Sequence, residues 1–159
     1  MIDAASLIPL DSFPDRLFVR ADKSFFGVLN VILTSYLKRF HIPHSTSLST
    51  VRLPGIFHRK QQCLCIVNPE HPDYFTYCVR VEKSGFKTYA ILNCYGESKL
   101  FGKTYPLNKG ALDYPAQPGA FPSEAHEEEY CYYKLMEVIL YKSFGISYRK
   151  AKEKAKARA

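Results

Sequence analysis

The sequence predicts an α+β fold: an antiparallel meander of three or four strands, packed in two layers against an N-terminal and a C-terminal helix, with a basic helical tail. Two observations carry the helices and the sheet. Apolar residues recur at spacings of three and four over residues 25–40 and again over residues 131–140, the period of a helix face. Between them, from about residue 61 to 105, β-branched and aromatic residues dominate and the period shortens to two. A third observation sets the size. The chain has 159 residues, 47% of them hydrophobic and 23% charged, which excludes a wholly disordered chain and is enough for one core. One domain is expected over residues 1–145, and a separate tail over 146–159.

Residues 1–15 contain Pro9, Pro14 and three aspartates without a period, so they read as an extended lead-in. A short apolar run at 17–19 predicts an edge strand. Asp22 stands where an N-cap would accept from an unpaired amide. The stripe Phe25, Phe26, Val28, Leu29, Ile32, Leu33, Tyr36, Leu37 and Phe40 follows it. Pro43 ends that helix near Phe40 and His41. Residues 44–60 are rich in Ser and Thr and carry Pro54 and Gly55, so they read as a loop. Strands are expected at 61–68, 74–82, 86–95 and 98–105, with Gly85 turning the middle pair through a left-handed position. In the second of these, Phe75, Tyr77, Val79 and Val81 form the packed face. Thr76, Cys78, Arg80 and Glu82 form a wetter one. Residues 114–122 have the composition of a linker. Ser123 then caps a second helix whose first turns hold Glu124, Glu127, Glu128 and Glu129, favourable at the positive end of a helix dipole. Its inward stripe is Cys131, Leu135, Val138 and Ile139, widened by Tyr132, Met136 and Leu140, and Gly145 closes it.

The chain's net charge of +7 is not spread evenly. No acidic residue lies between Asp22 and Glu70, and within that gap Lys38, Arg39, Arg52, Arg59 and Lys60 gather the charge. The tail places Arg149, Lys150, Lys152, Lys154, Lys156 and Arg158 against Glu153 alone, so like charges four apart oppose an isolated helix. Guanidinium, ammonium and hydroxyl groups converging beside residues 52–60 suit a phosphate. Five cysteines cannot all pair internally, and no export signal opens the chain, which points to a reducing, cytoplasmic setting.

The expected function is therefore a small intracellular, non-enzymatic binding or regulatory protein. It would engage nucleic acid, or another phosphate-rich or acidic partner, through Arg52, His58, Arg59 and Lys60 of the loop and the six tail cations. Two alternatives stand beside it. One is a protein-directed inhibitor or adaptor, of the kind encoded on a phage or mobile element. The other is a metal-independent ribonuclease in which His44 and His58 act as base and acid beside Arg52 or Lys60. No cofactor and no metal are expected. Cys63 and Cys65 share a strand face, but their spacing is shorter than that of a zinc ligand pair and no second pair follows at ribbon spacing. No stretch is apolar and long enough for a membrane span, there is no Gly-rich phosphate loop, and there is no nucleophile-elbow motif.

Overall fold

The computed structural model describes residues 1–10, 17–57, 59–100, 103–106, 124–147, 149, 150, 153 and 157, with 97–100, 103–106 and 126 described by backbone alone. The periodic stripe after residue 24 forms helix α1 (Phe25–Arg39), which buries Leu29, Leu33 and Leu37, one residue per turn. The N-cap is Ser24, not Asp22, and the serine makes no capping bond. Asp22 Oδ1 accepts from both the Ser24 amide (2.8 Å) and the Ser24 hydroxyl (2.6 Å), so the carboxylate organises the turn ahead of the helix. At the other end His41 takes a left-handed φ of 55°. The Ile42 amide then returns to the Leu37 carbonyl (2.9 Å) and the His41 amide to that of Lys38 (3.1 Å), a Schellman closure.

The hydroxyl-rich segment expected to be a loop is largely strand. Strand β4 (Ser45–Arg52) pairs antiparallel along its whole length with β5 (Lys60–Val67), and only the turn between them is irregular. Ser and Thr are weak local signals for either state. The neighbouring strand supplies the hydrogen bonds that decide the conformation, and composition does not reveal that neighbour. Strand β5 pairs with β6 (Thr76–Ser84), and β6 pairs with β7 (Lys87–Tyr95) through a turn at Gly85, φ 62°. Strands β8 (Glu97–Leu100) and β9 (Lys103–Pro106) form a separate hairpin.

The lead-in is the larger surprise. Strand β1 (Ile2–Asp3) runs parallel to β4, while β2 (Ile8–Pro9) and β3 (Leu17–Phe18) lie antiparallel on β7. The first ten residues therefore join both edges of one seven-stranded sheet, ordered β1-β4-β5-β6-β7-β2. Five inter-strand gaps in a flat sheet span about 24 Å. The five residue steps from Asp3 to Ile8 reach at most about 18 Å even when fully extended, and a 3₁₀ turn at Ala4–Ser6 shortens them further. The sheet has to curl for this strap to close, and it forms a half-barrel. The α+β class holds, but the sheet is mixed, curled and larger than three or four antiparallel strands.

Helix α2 (Glu124–Ser143) joins α1 on the convex face. There Leu64, Ile66, Tyr77, Val79, Leu92 and Cys94 of the sheet meet Leu33 and Leu37 of α1 and Tyr133, Met136, Ile139 and Leu140 of α2. The α2 stripe is rotated from the expected one. Cys131 is exposed, and Tyr132, Tyr133 and Tyr141 are buried, because tyrosines whose rings fill the core carry more apolar area than one thiol. Gly145 does close α2, with φ 69° and the Ile146 amide on the Tyr141 carbonyl at 2.9 Å. The opposite face of β6 is the wetter one at Thr76, Arg80 and Glu82, which are half-buried, but not at Cys78. Cys78 is fully buried with Cys63, Cys65 and Val51 beneath Ile2, Ala4 and Leu7 of the strap. Among the described residues no helix is long and apolar enough to cross a membrane.

Candidate basic cleft and buried thiol cluster

The turns after β4 and β6 lie at the same end of the sheet, because each strand pair is antiparallel and β5 stands beside β6. Arg59 and Lys60 open β5 at this end, Lys83 closes β6, and Lys23 precedes α1. All four line one cleft of about 740 Å³, whose walls also include Asp22, Phe25, Gln62, Val81 and Glu82. The two acids are already engaged. Asp22 is bonded by Ser24, whose hydroxyl and amide hold its carboxyl below the usual carboxylate range. Glu82 lies 4.0 Å from the Arg80 guanidinium. Among the described residues no carboxylate comes within ion-pair distance of Lys23, Arg59, Lys60 or Lys83. Beside the cleft, Ile56 and Phe57 on one turn and Phe86 on the other are almost completely exposed, at 92%, 88% and 109%.

The residues expected from sequence to act together are only partly brought together. Arg59 and Lys60 do share the cleft. Arg52 faces the strap and pairs with Asp3 at 3.1 Å. His58 lies outside the described residues. His44 precedes β4 at its far end, about 26 Å along the strand from Arg52, where its Nδ1–H donates to the Ile42 carbonyl at 2.8 Å. It therefore shares no site with Arg52 or Lys60. Arg149 and Lys150 are exposed, and Arg149 pairs with Glu153 at 3.2 Å. The tail leaves α2 where Lys142 lies over the Phe40 ring, at the end of α1 opposite the cleft and about 21 Å from it. Lys152, Lys154, Lys156 and Arg158 lie outside the described residues. Lys23 and Lys83 escape a reading by charge runs, because each is isolated in sequence and only strand pairing gathers them.

The second chemically distinctive group is inside the curl. Cys63 and Cys65 project from the same face of β5, and Cys78 stands directly across from Cys65 on β6. Their sulfurs are 3.6 Å (Cys63 to Cys65) and 3.5 Å (Cys65 to Cys78) apart, and all three lie within 4.8 Å of one another. All five cysteines of the chain are free. Hydrogen bonds from Cys65 and Cys78 pull the Cys63 thiol down to about 4. The reciprocal bond to Cys63 pushes Cys65 up to about 12, and bonding to both neighbours raises Cys78 as well. Bonding within the trio thus lowers one thiol and raises the other two. Arg80, opposite Cys63 in register, donates to Asn93 Oδ1 (3.0 Å) and Gln61 Oε1 (2.8 Å) and sets positive charge beside Cys63.

Comparison with protein-family models, with curated proteins and with solved structures finds no match.

Proposed function

We propose that this chain is a non-enzymatic nucleic-acid-binding protein whose hairpin end docks single-stranded, phosphate-rich partners. The observation that carries this reading is the set of four cations, Lys23, Arg59, Lys60 and Lys83, around one cleft with no acid paired to them among the described residues. Solvent-exposed Phe57 and Phe86 stand at the same end. Cations tracking a phosphate backbone beside aromatic faces on which bases stack are what sequence-tolerant single-strand binding needs. The basic tail would add sequence-independent attraction from the other end of the helical layer.

The test is fluorescence anisotropy of a labelled oligonucleotide titrated with the full chain at several salt concentrations. Affinity should fall steeply with salt. The double variant Lys60→Glu/Lys83→Glu should lose at least about tenfold, the factor that ~1.4 kcal/mol of phosphate contact supplies. A salt-independent affinity, or no loss in the double variant, would overturn the reading. A protein partner is the second reading, and Ile56 favours it, since an exposed aliphatic tip has no base-stacking use. Its signature would be a defined partner retained after nuclease treatment and lost in Ile56→Asp.

A further inference from the structure

The geometry points to a metal site that is independent of the basic cleft: Cys63, Cys65 and Cys78 hold one soft, monovalent ion, Cu(I), in trigonal thiolate coordination. Three sulfurs each about 2.3 Å from a central ion in their plane stand about 4.0 Å from one another. The observed separations of 3.5 Å, 3.6 Å and no more than 4.8 Å bracket that value without backbone rearrangement. The scaffold is rigid. Two ligands sit two residues apart on a central strand, and the third is the register partner of one of them. Cys63, Cys65 and Cys78 are 0%, 4% and 0% exposed. They are the only His, Cys, Asp or Glu side chains in the group among the described residues.

That donor set selects the ion. Structural zinc takes four ligands, and a catalytic zinc completes its shell with water. Among the described residues no fourth protein donor joins the group, and the face is covered by Ile2, Ala4 and Leu7. All-thiolate surroundings favour soft ions, and among them Cu(I) is satisfied by three sulfurs. Binding forms three S–Cu bonds and breaks the S–H bond of each sulfur that is still protonated. The protons pass to solvent, and no electron moves when copper is supplied as Cu(I). Arg80 offsets part of the negative charge that the three thiolates bring. Entry is past the strap, which holds each sheet edge by only two residues of strand.

The experiment is an anaerobic titration of the reduced full chain with Cu(I) against a chromophoric Cu(I) chelator, followed by X-ray absorption of the loaded wild type. Retention of one equivalent, three sulfur scatterers and no nitrogen or oxygen shell is the expected result. Cys65→Ser should lose retention, whereas Cys94→Ser and Cys131→Ser should keep it. Because Cys65→Ser could also unfold the chain, alkylation footprinting of the wild type supplies a readout free of mutation. Cu(I) should protect Cys63, Cys65 and Cys78 and leave Cys131 reactive. No retained copper, a light-atom ligand in the shell, equal protection of all five thiols, or preferential loading of Zn(II) over Cu(I) would each overturn the assignment.

Discussion

Tyr133 shows how one side chain positions a whole helix. Its hydroxyl donates to Glu129 Oε1 (2.7 Å) on α2 and accepts from the buried Phe75 amide (3.2 Å) where β6 begins. Removing the hydroxyl leaves that amide without its acceptor. Tyr133→Phe should therefore cost about 1–3 kcal/mol, measured as a fall in the urea midpoint with an unchanged slope. A loss below about half a kcal/mol would show that water replaces the bond. His41 offers the opposite case. A non-glycine residue at φ 55° carries left-handed strain, so His41→Gly should stabilise the chain by up to about 1 kcal/mol in the same measurement.

At the scale of elements, the strap is the least secured part of the sheet and the most consequential. Two residues on β4, two on β7 and the exposed Arg52–Asp3 pair hold it, and an exposed ion pair adds little. Its apolar side chains Ile2 and Leu7 nevertheless keep water from three thiols. Leu7→Asp should raise the alkylation rates of Cys63, Cys65 and Cys78 by about tenfold, the factor expected from ~1.4 kcal/mol of lost local stability. Cys94, on the helix-covered face, should keep its rate. Mass spectrometry after pulsed alkylation reads both, and equal acceleration of Cys94 would mean that the strap holds the whole fold and not one face.

For the whole molecule, ionisable groups buried in their neutral form set the alkaline limit. Burial raises Tyr77 and Tyr132 and pushes Tyr95 up to about 12, against an ordinary value of 10.0. The unfolded chain releases these protons near pH 10 while the folded chain keeps them. This stability is therefore fully present below pH 10 and is lost as pH rises toward 12. Denaturant midpoints should fall above about pH 10. Tyr95→Phe should flatten part of the fall between 10 and 12. At neutral pH the same molecule presents its four cleft cations. If each meets one phosphate, the logarithm of affinity should change with that of salt by roughly −0.7 per contact on a single strand, and Lys60→Gln should remove about one contact.

Local chemistry determined the parts of this protein that depend on near neighbours in sequence. The Leu29, Leu33 and Leu37 line of the α1 stripe (though not its Val28, Ile32 and Phe40, which are exposed), the turn at Gly85, the closing role of Gly145 and the packed face of Phe75, Tyr77 and Val79 were legible, because 3.6- and 2-residue periods and positive φ are local properties. So was the concentration of charge at Arg59 and Lys60. Tertiary structure alone decided the rest. Residues 45–52 became a strand because β5 was there to pair with them. The lead-in became a strap because both sheet edges came within its reach. Lys23 and Lys83 joined the cleft, and Cys78 joined Cys63 and Cys65, through antiparallel register. Pairing register is a relation between segments far apart in the chain, with no local period to announce it, and both candidate sites of this protein are built from it.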